Sequence, residues 1–181
     1  YDAGITVLVP SYVEEIPVIE KTLWSAALQE FPDMRVVLLI DDPPYPTDPV
    51  RAEELWQTRR IGDKITNELK VPFDRFSAAH QRFQDRIGLA PRVGGAELNY
   101  LSVEYRAAIQ WLEQKREDWP VLDHTDLFFK SQVLEGLAQD LRQTLGAVEA
   151  AVAERSELTV TRVNQLYVRL TRIFGANVTS F

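Results

Sequence analysis

Two short apolar runs with a helical stripe between them constrain the fold of this chain more than any other feature. Residues 5–9 (Ile-Thr-Val-Leu-Val) and 35–40 (Arg-Val-Val-Leu-Leu-Ile) are rich in β-branched and aliphatic side chains. Such runs are typical of strands in a parallel sheet that helices cover on both faces. Between them, apolar residues recur at helical spacing from Ile16 to Ala27. The order strand, helix, strand predicts a right-handed βαβ unit.

A proline-rich loop follows the second run. Residues 41–49 contain four prolines, which favour a stiff loop over a strand. Thr47 or Asp48 is placed to cap a helix that opens with Pro49, because a proline at the first helical position loses no hydrogen bond. We expect this helix to end at Pro72, since an interior proline disrupts helical hydrogen bonding.

The rest of the chain is helical in pattern. A second helix is expected to stop at Gly88, residues 91–95 read as a turn, and apolar stripes then run from Leu98 and from Leu134. Thr159 is placed to cap a last helix. Stripes of this length usually pack against one another as a hairpin or small bundle.

The predicted fold class is therefore α/β, with an N-terminal βαβ unit of a parallel, Rossmann-like sheet followed by a mainly α-helical region. Two parts are expected, residues 1–48 and residues 49–181. No third strand is evident after the second apolar run, so the helical region reads as an insertion, with the remaining strands expected beyond Phe181.

Composition excludes several classes of function. The formal net charge is -7 and the basic residues are scattered, which argues against nucleic acid as a partner because phosphate backbones require a clustered positive face. There is no cysteine, so thiolate nucleophiles and thiolate metal sites are excluded. No apolar run approaches the roughly 20 residues of a membrane span, and no signal peptide is evident. A cytoplasmic location is expected.

Polar and aromatic side chains follow both predicted strands. The first ends in Pro10-Ser11-Tyr12-Val13-Glu14 and the second in Asp41-Asp42. Ligands bind at the carboxyl ends of strands in open parallel sheets. A ring can stack on a base, and carboxylates accept hydrogen bonds from a base N–H or a ribose hydroxyl. This edge therefore suits a nucleoside.

At these residues the chain resembles a known family. The segments Ile5-Thr-Val-Leu-Val-Pro-Ser-Tyr-Val-Glu14, Gln29-Glu-Phe-Pro32 and Arg35-Val-Val-Leu-Leu-Ile-Asp-Asp42 look like the opening of family 2 glycosyltransferases. The resemblance implies the glycosyltransferase A fold and transfer of a sugar, with inversion, from a nucleotide donor that is usually a UDP-sugar. It also implies that Ser11 and Tyr12 lie along the uracil, that Glu14 approaches the nucleoside and that Asp41 binds the uracil N–H. The parent protein could be membrane-associated.

The chain departs from the family pattern in several places. Val13 stands at the usual asparagine position, and Pro43-Pro44 replaces the usual Gly-Ser. The family implies a divalent cation, Mg or Mn, held by an Asp-x-Asp; neither that motif nor Gln-x-x-Arg-Trp occurs here. The resemblance therefore places the metal ligands and the catalytic base outside this chain. We expect the isolated chain to bind a UDP-sugar without transferring the sugar.

Other chemistry-bearing residues have structural explanations. Asp123-His124-Thr125-Asp126 could coordinate a hard cation, but its position before a long helix favours a cap formed by Asp123 or Thr125. The four tryptophans lie within helical patterns and are expected to pack in the core, none of them stacking on sugar: Trp24, Trp56, Trp111 and Trp119.

Two other functions compete with the glycosyltransferase hypothesis. The helical stripes could form a non-enzymatic module for protein interaction or homo-oligomerisation, favoured by any exposed apolar surface. The chain could also belong to a different nucleotide-using α/β enzyme, such as a nucleotidyltransferase. The absence of a Gly-rich basic loop near the first strand makes this the weaker alternative.

Overall fold

The computed structural model describes residues 3–181 and is a mixed α/β structure in which helices predominate. The strands are β1 (Ile5–Ser11), β2 (Met34–Ile40), β3 (Arg92–Val93), β4 (Leu158–Thr159) and β5 (Asn177–Ser180). The helices are α1 (Ile16–Ala27), α2 (Pro49–Ile87), α3 (Gly95–Asp118), α4 (His124–Phe128), α5 (Gly136–Ala153) and α6 (Val160–Ile173), with a π-helical segment at Phe129–Glu135. Within this part of the chain, none of the helices combines enough length with enough apolar character to cross a membrane.

Two compact units divide the chain. Of the described residues, the first contains residues 3–71 and 172–181, and the second contains residues 72–171. The first unit is therefore discontinuous in sequence, and the second is inserted into it. These boundaries fall inside α2 and α6 rather than after residue 48; the assignment of residues 1–48 to a nucleotide-sugar-binding domain stays a prediction.

The first unit is built on a three-stranded parallel sheet. Its strand order is β1-β2-β5, and both neighbouring pairs are parallel. The predicted βαβ unit is thus present. The expectation that all remaining strands lie beyond Phe181 is wrong for one strand, because β5 pairs with β2 through Val178 opposite Val36. This strand is short and has a single fully buried apolar residue, Val178, so its sequence carries little strand signal.

Helix α1 covers one face of this sheet. Its apolar stripe of Ile19, Leu23, Trp24 and Ala27 is buried, and the helix contacts all three strands. The opposite face is more open: Leu8 is 59% exposed and Leu39 is 38% exposed. The prediction of strands covered on both faces therefore holds for one face only, and β1 shows the alternating burial of a half-covered strand.

The outer edge of β5 lies against α2. The Thr66 hydroxyl accepts from the backbone N–H of Val178 and donates to its carbonyl, both at 2.9 Å. Unpaired backbone groups at a sheet edge cost free energy unless they find a partner. Gly62, one turn earlier in α2, allows the close approach that these bonds need: a Cβ there would lie 2.9 Å from the Thr179 carbonyl carbon.

Helix α2 continues through Pro72, so the predicted break there is wrong. Pro72 is buried, and the helix carries fully buried Leu69 before it and Phe76 after it. Tertiary packing of an apolar face usually stabilises a helix more than local propensity does. Burial on both sides of Pro72 thus offsets the lost hydrogen bond. The predicted cap at Asp48 and the stop that was predicted at Gly88 for a separate second helix are confirmed, because Asp48 Oδ1 accepts from Val50 N at 3.0 Å and Gly88 has a φ of 54°.

The second unit is a set of packed helices. Three ion pairs show that α3 and α5, with the π-helical segment before α5, run antiparallel: Arg106–Glu149 at 2.6 Å, Glu113–Arg142 and Arg116–Glu135 at 3.1 Å. The Tyr105 hydroxyl connects α3 to α6 by donating to the Leu166 carbonyl at 2.7 Å.

The expected turn at 91–95 instead contains β3, which pairs antiparallel with β4. Thr159 caps α6, as predicted, through Arg162 N at 3.1 Å.

Candidate functional site

The carboxyl ends of β1 and β2 lie side by side. Ser11, the last residue of β1, is the register partner of Ile40, the last residue of β2. Because parallel strands that end at the same level deliver their following loops to one edge, residues after both strands are brought together. This edge is the site that the sequence predicted.

Two hydrogen bonds join the loops at this edge. Asp41 N donates to the Ser11 carbonyl at 2.9 Å, and Val13 N donates to Asp42 Oδ1 at 2.8 Å. The second bond fixes one carboxylate oxygen of Asp42 on the backbone of the opposite loop. Asp41 is exposed to solvent and Asp42 is half-buried.

The other predicted site residues differ in their exposure. Tyr12 is 64% exposed, and Glu14 is also exposed, so both are accessible to a ligand. Pro10 lies on the more open face of the sheet. Ser11 is buried, and along β1 it shares a face with Val9, the face that α1 covers. Ser11 therefore contributes its backbone carbonyl to this edge. The burial of its side chain does not support the predicted position of that side chain along a uracil ring.

A shallow pocket of about 50 Å³ opens at this edge. Glu14 and Asp42 line it, together with Arg51 and Glu54 from the start of α2. Pockets that enclose small molecules usually measure roughly 300–1,000 Å³. A ligand of the usual size would thus lie across this edge on an open surface, with only part of it in the pocket.

Arg51 also lies at this edge, although the sequence analysis did not name it. It is the one cationic side chain among the residues that line this shallow pocket. It lies in the first turn of α2, where the helix dipole disfavours a positive charge. That unfavourable placement was the available signal, because a nearby anion, either a ligand or a neighbouring carboxylate, would offset it.

The family resemblance implies a divalent cation, whose ligands the sequence analysis expects outside this chain. Among residues 3–181, no three His, Asp or Glu side chains converge closely enough to hold a metal ion.

The interpretation of residues 123–126 as a helix cap is confirmed. The Asp123 side chain accepts from the backbone of Thr125 and Asp126, and Asp126 completes a reciprocal capping box.

Val13 adopts a backbone conformation that disfavours its side chain. Its φ is 50°, in the left-handed region that asparagine and glycine tolerate and that β-branched residues avoid. The conformation aims the Val13 N–H at Asp42. Backbone strain of this kind is stored where the surrounding structure over-determines the conformation, commonly beside functional sites.

We expect Val13→Asn to raise the free energy of unfolding of the first unit by about 1 kcal/mol, because asparagine accepts this φ at lower cost. Urea unfolding followed by hydrogen exchange of the β1 and β2 amides measures the effect. Val18→Asn is the matched control, since Val18 is also exposed but lies within α1, where valine and asparagine have similar helix propensities and stability should change little. A Val13→Asn variant no more stable than Val18→Asn would contradict the strain.

Comparison of the chain with protein-family models, with curated proteins and with solved structures found no match.

Proposed function

We propose that this chain is the nucleotide-binding front portion of an inverting glycosyltransferase, which binds a UDP-sugar and transfers its sugar to an acceptor hydroxyl. The observation that carries the proposal is the pairing of the two strand-end loops at one edge of a parallel sheet. That pairing brings Tyr12, Glu14 and Asp41 to the same region with accessible side chains. The resemblance of these segments to family 2 glycosyltransferases supports the same assignment.

The binding roles follow from the chemistry of the side chains. Tyr12 offers an exposed ring for stacking on the base, and the Asp41 carboxylate accepts a hydrogen bond from the base N–H. Arg51 adds a permanent positive charge near the diphosphate, where the N-terminus of α2 also favours an anion. The chain's own residues thus bind and orient the donor. The catalytic base and metal ligands belong, in this proposal, to residues outside the chain.

The test is the affinity of the intact 181-residue chain for UDP, measured by calorimetry. We expect Asp41→Ala to weaken binding by at least about tenfold, since losing a hydrogen bond to a charged acceptor costs roughly 1.5–3 kcal/mol. Asp140→Ala, which removes an exposed carboxylate from α5, is the matched control and should leave affinity unchanged. Detectable sugar transfer by the chain alone would contradict the assignment of the catalytic base to other residues.

The helical unit favours a second candidate, a module for protein interaction or self-association. Four large apolar side chains near α4 are at least half exposed, and they lie close together in sequence: Val121, Leu122, Leu127 and Phe128. Exposed apolar patches often mark interaction surfaces. Sedimentation velocity separates the outcomes. A concentration-dependent oligomer would favour self-association through this surface, and a monomer at all concentrations would count against it.

A further inference from the structure

A larger cleft lies in the first unit and shares no lining residue with the strand-end pocket. It measures about 480 Å³ and runs between α1 and the first half of α2. This volume falls within the range typical of small-molecule sites, whereas the strand-end pocket holds only about 50 Å³. No part of the proposed nucleotide site lines this cleft.

An exposed indole forms part of its wall. Trp56 is 52% exposed, so the prediction that all four tryptophans pack in the core is wrong for this residue. Trp24 and Trp119 are buried, as predicted. The Arg60 guanidinium, one helical turn away, lies 4.5 Å from the centre of the Trp56 ring. This cation–π contact holds the indole in place at the cleft.

The charges of the cleft cancel. Glu20 of α1 and Lys64 of α2 form an ion pair at 3.4 Å, and Arg60 and Asp63 add one charge of each sign. An anionic ligand would meet two carboxylates, and a cationic ligand would meet an ammonium and a guanidinium. A neutral ligand avoids both repulsions.

The uncharged polar side chains of the cleft indicate which functional groups a neutral ligand needs. Gln57 and Asn67 line the cleft, and each carboxamide both donates and accepts hydrogen bonds. A ligand that matches them carries hydroxyl groups, which also donate and accept. The half-buried side chain of Ile16, together with the indole, supplies an apolar surface for the face of a ring.

We propose that this cleft is a binding site for a neutral carbohydrate. One pyranose ring lies against Trp56, and the hydroxyls of that ring and its neighbour hydrogen-bond with Gln57, Asp63 and Asn67. The site is independent of the nucleotide site, so a chain that fails to bind UDP can still bind the glycan here.

The experiment is an NMR titration of the intact chain with four neutral tetrasaccharides: cellotetraose, maltotetraose, mannotetraose and chitotetraose. We expect at least one to cause saturable shifts of the Trp56 indole N–H and of the Gln57 and Asn67 carboxamides. Trp56→Ala should weaken that binding by at least about tenfold, while amide shifts outside the cleft show that the variant is folded. UDP, added separately, should leave these cleft signals unshifted.

Tyr100→Ala is the matched control, because Tyr100 is 54% exposed and the Arg86 guanidinium lies 4.4 Å from its ring centre, outside the cleft. This variant should bind the tetrasaccharide as the wild type does. The proposal is overturned if none of the four sugars gives saturable shifts or if Trp56→Ala binds as tightly as wild type. Stronger binding of tetragalacturonate than of every neutral sugar would overturn the assignment to a neutral ligand.

Discussion

Gly62→Ala is expected to lower the free energy of unfolding of the first unit by about 1–3 kcal/mol. The added Cβ would lie 2.9 Å from the Thr179 carbonyl carbon and 3.0 Å from Ser180 N. Both are backbone atoms of β5, so relief requires α2 to move away from the sheet edge, and overpacking of this kind typically costs that amount. The movement would also stretch the two hydrogen bonds between Thr66 and Val178. Hydrogen exchange of the β2 and β5 amides in urea reports the loss.

Gly146→Ala provides the matched control for that substitution. Gly146 is also inside a helix, α5, but a Cβ there would meet nothing within 4 Å. Alanine should therefore stabilise this helix by roughly 0.5–1 kcal/mol. A gain of stability in both variants would show that α2 does not approach β5 as closely as the structure describes.

Asp126→Ala is expected to lower the stability of the second unit by about 3 kcal/mol or more. Asp126 is 1% exposed, and its carboxylate accepts from Trp119 Nε1 at 3.1 Å, Leu122 N at 2.8 Å and Asp123 N at 3.1 Å. Removal of the carboxylate leaves these donors without their acceptor, and each unsatisfied buried group costs roughly 1–3 kcal/mol. Hydrogen exchange of the α3 and α5 amides in urea measures the change.

Two further variants separate the effect of losing the buried Asp126 carboxylate from the effect of losing any aspartate. Asp126→Asn keeps one carbonyl oxygen as an acceptor, so its loss should be smaller than that of alanine. Asp118→Ala removes an exposed carboxylate from the C-terminus of α3, where the helix dipole disfavours it, and should change stability by less than about 0.5 kcal/mol. Equal losses for Asp126→Ala and Asp118→Ala would contradict a structural role for the buried carboxylate.

Sequence patterns predicted those elements whose signals are local. Strands β1 and β2 are continuous apolar runs, and α1 carries an apolar stripe, so the βαβ unit could be assigned without tertiary information. The caps at Asp48 and Asp123 follow for the same reason, since each depends on residues two or three positions away. The adjacency of the two strand-end loops then follows from the parallel pairing.

Features that depend on distant contacts were not predictable in this way. Strand β5 is short and largely polar, and it is held by pairing with β2 and by Thr66, which lies 112 residues from Val178. The continuation of α2 through Pro72 depends on burial of both sides of that position. Trp56 is exposed where it lines the cleft beside α1. The helical periodicity of α2 alone does not indicate that this cleft exists.

The most direct test of the proposed function is calorimetric titration of the chain with UDP, with and without manganese, on wild type and Asp41→Ala. The account predicts binding that Asp41→Ala weakens by at least about tenfold and that manganese barely alters, because the proposal places the metal ligands outside the chain. Folded wild-type chain that does not bind UDP, or binding that Asp41→Ala leaves unchanged, would contradict a nucleotide site at the ends of β1 and β2.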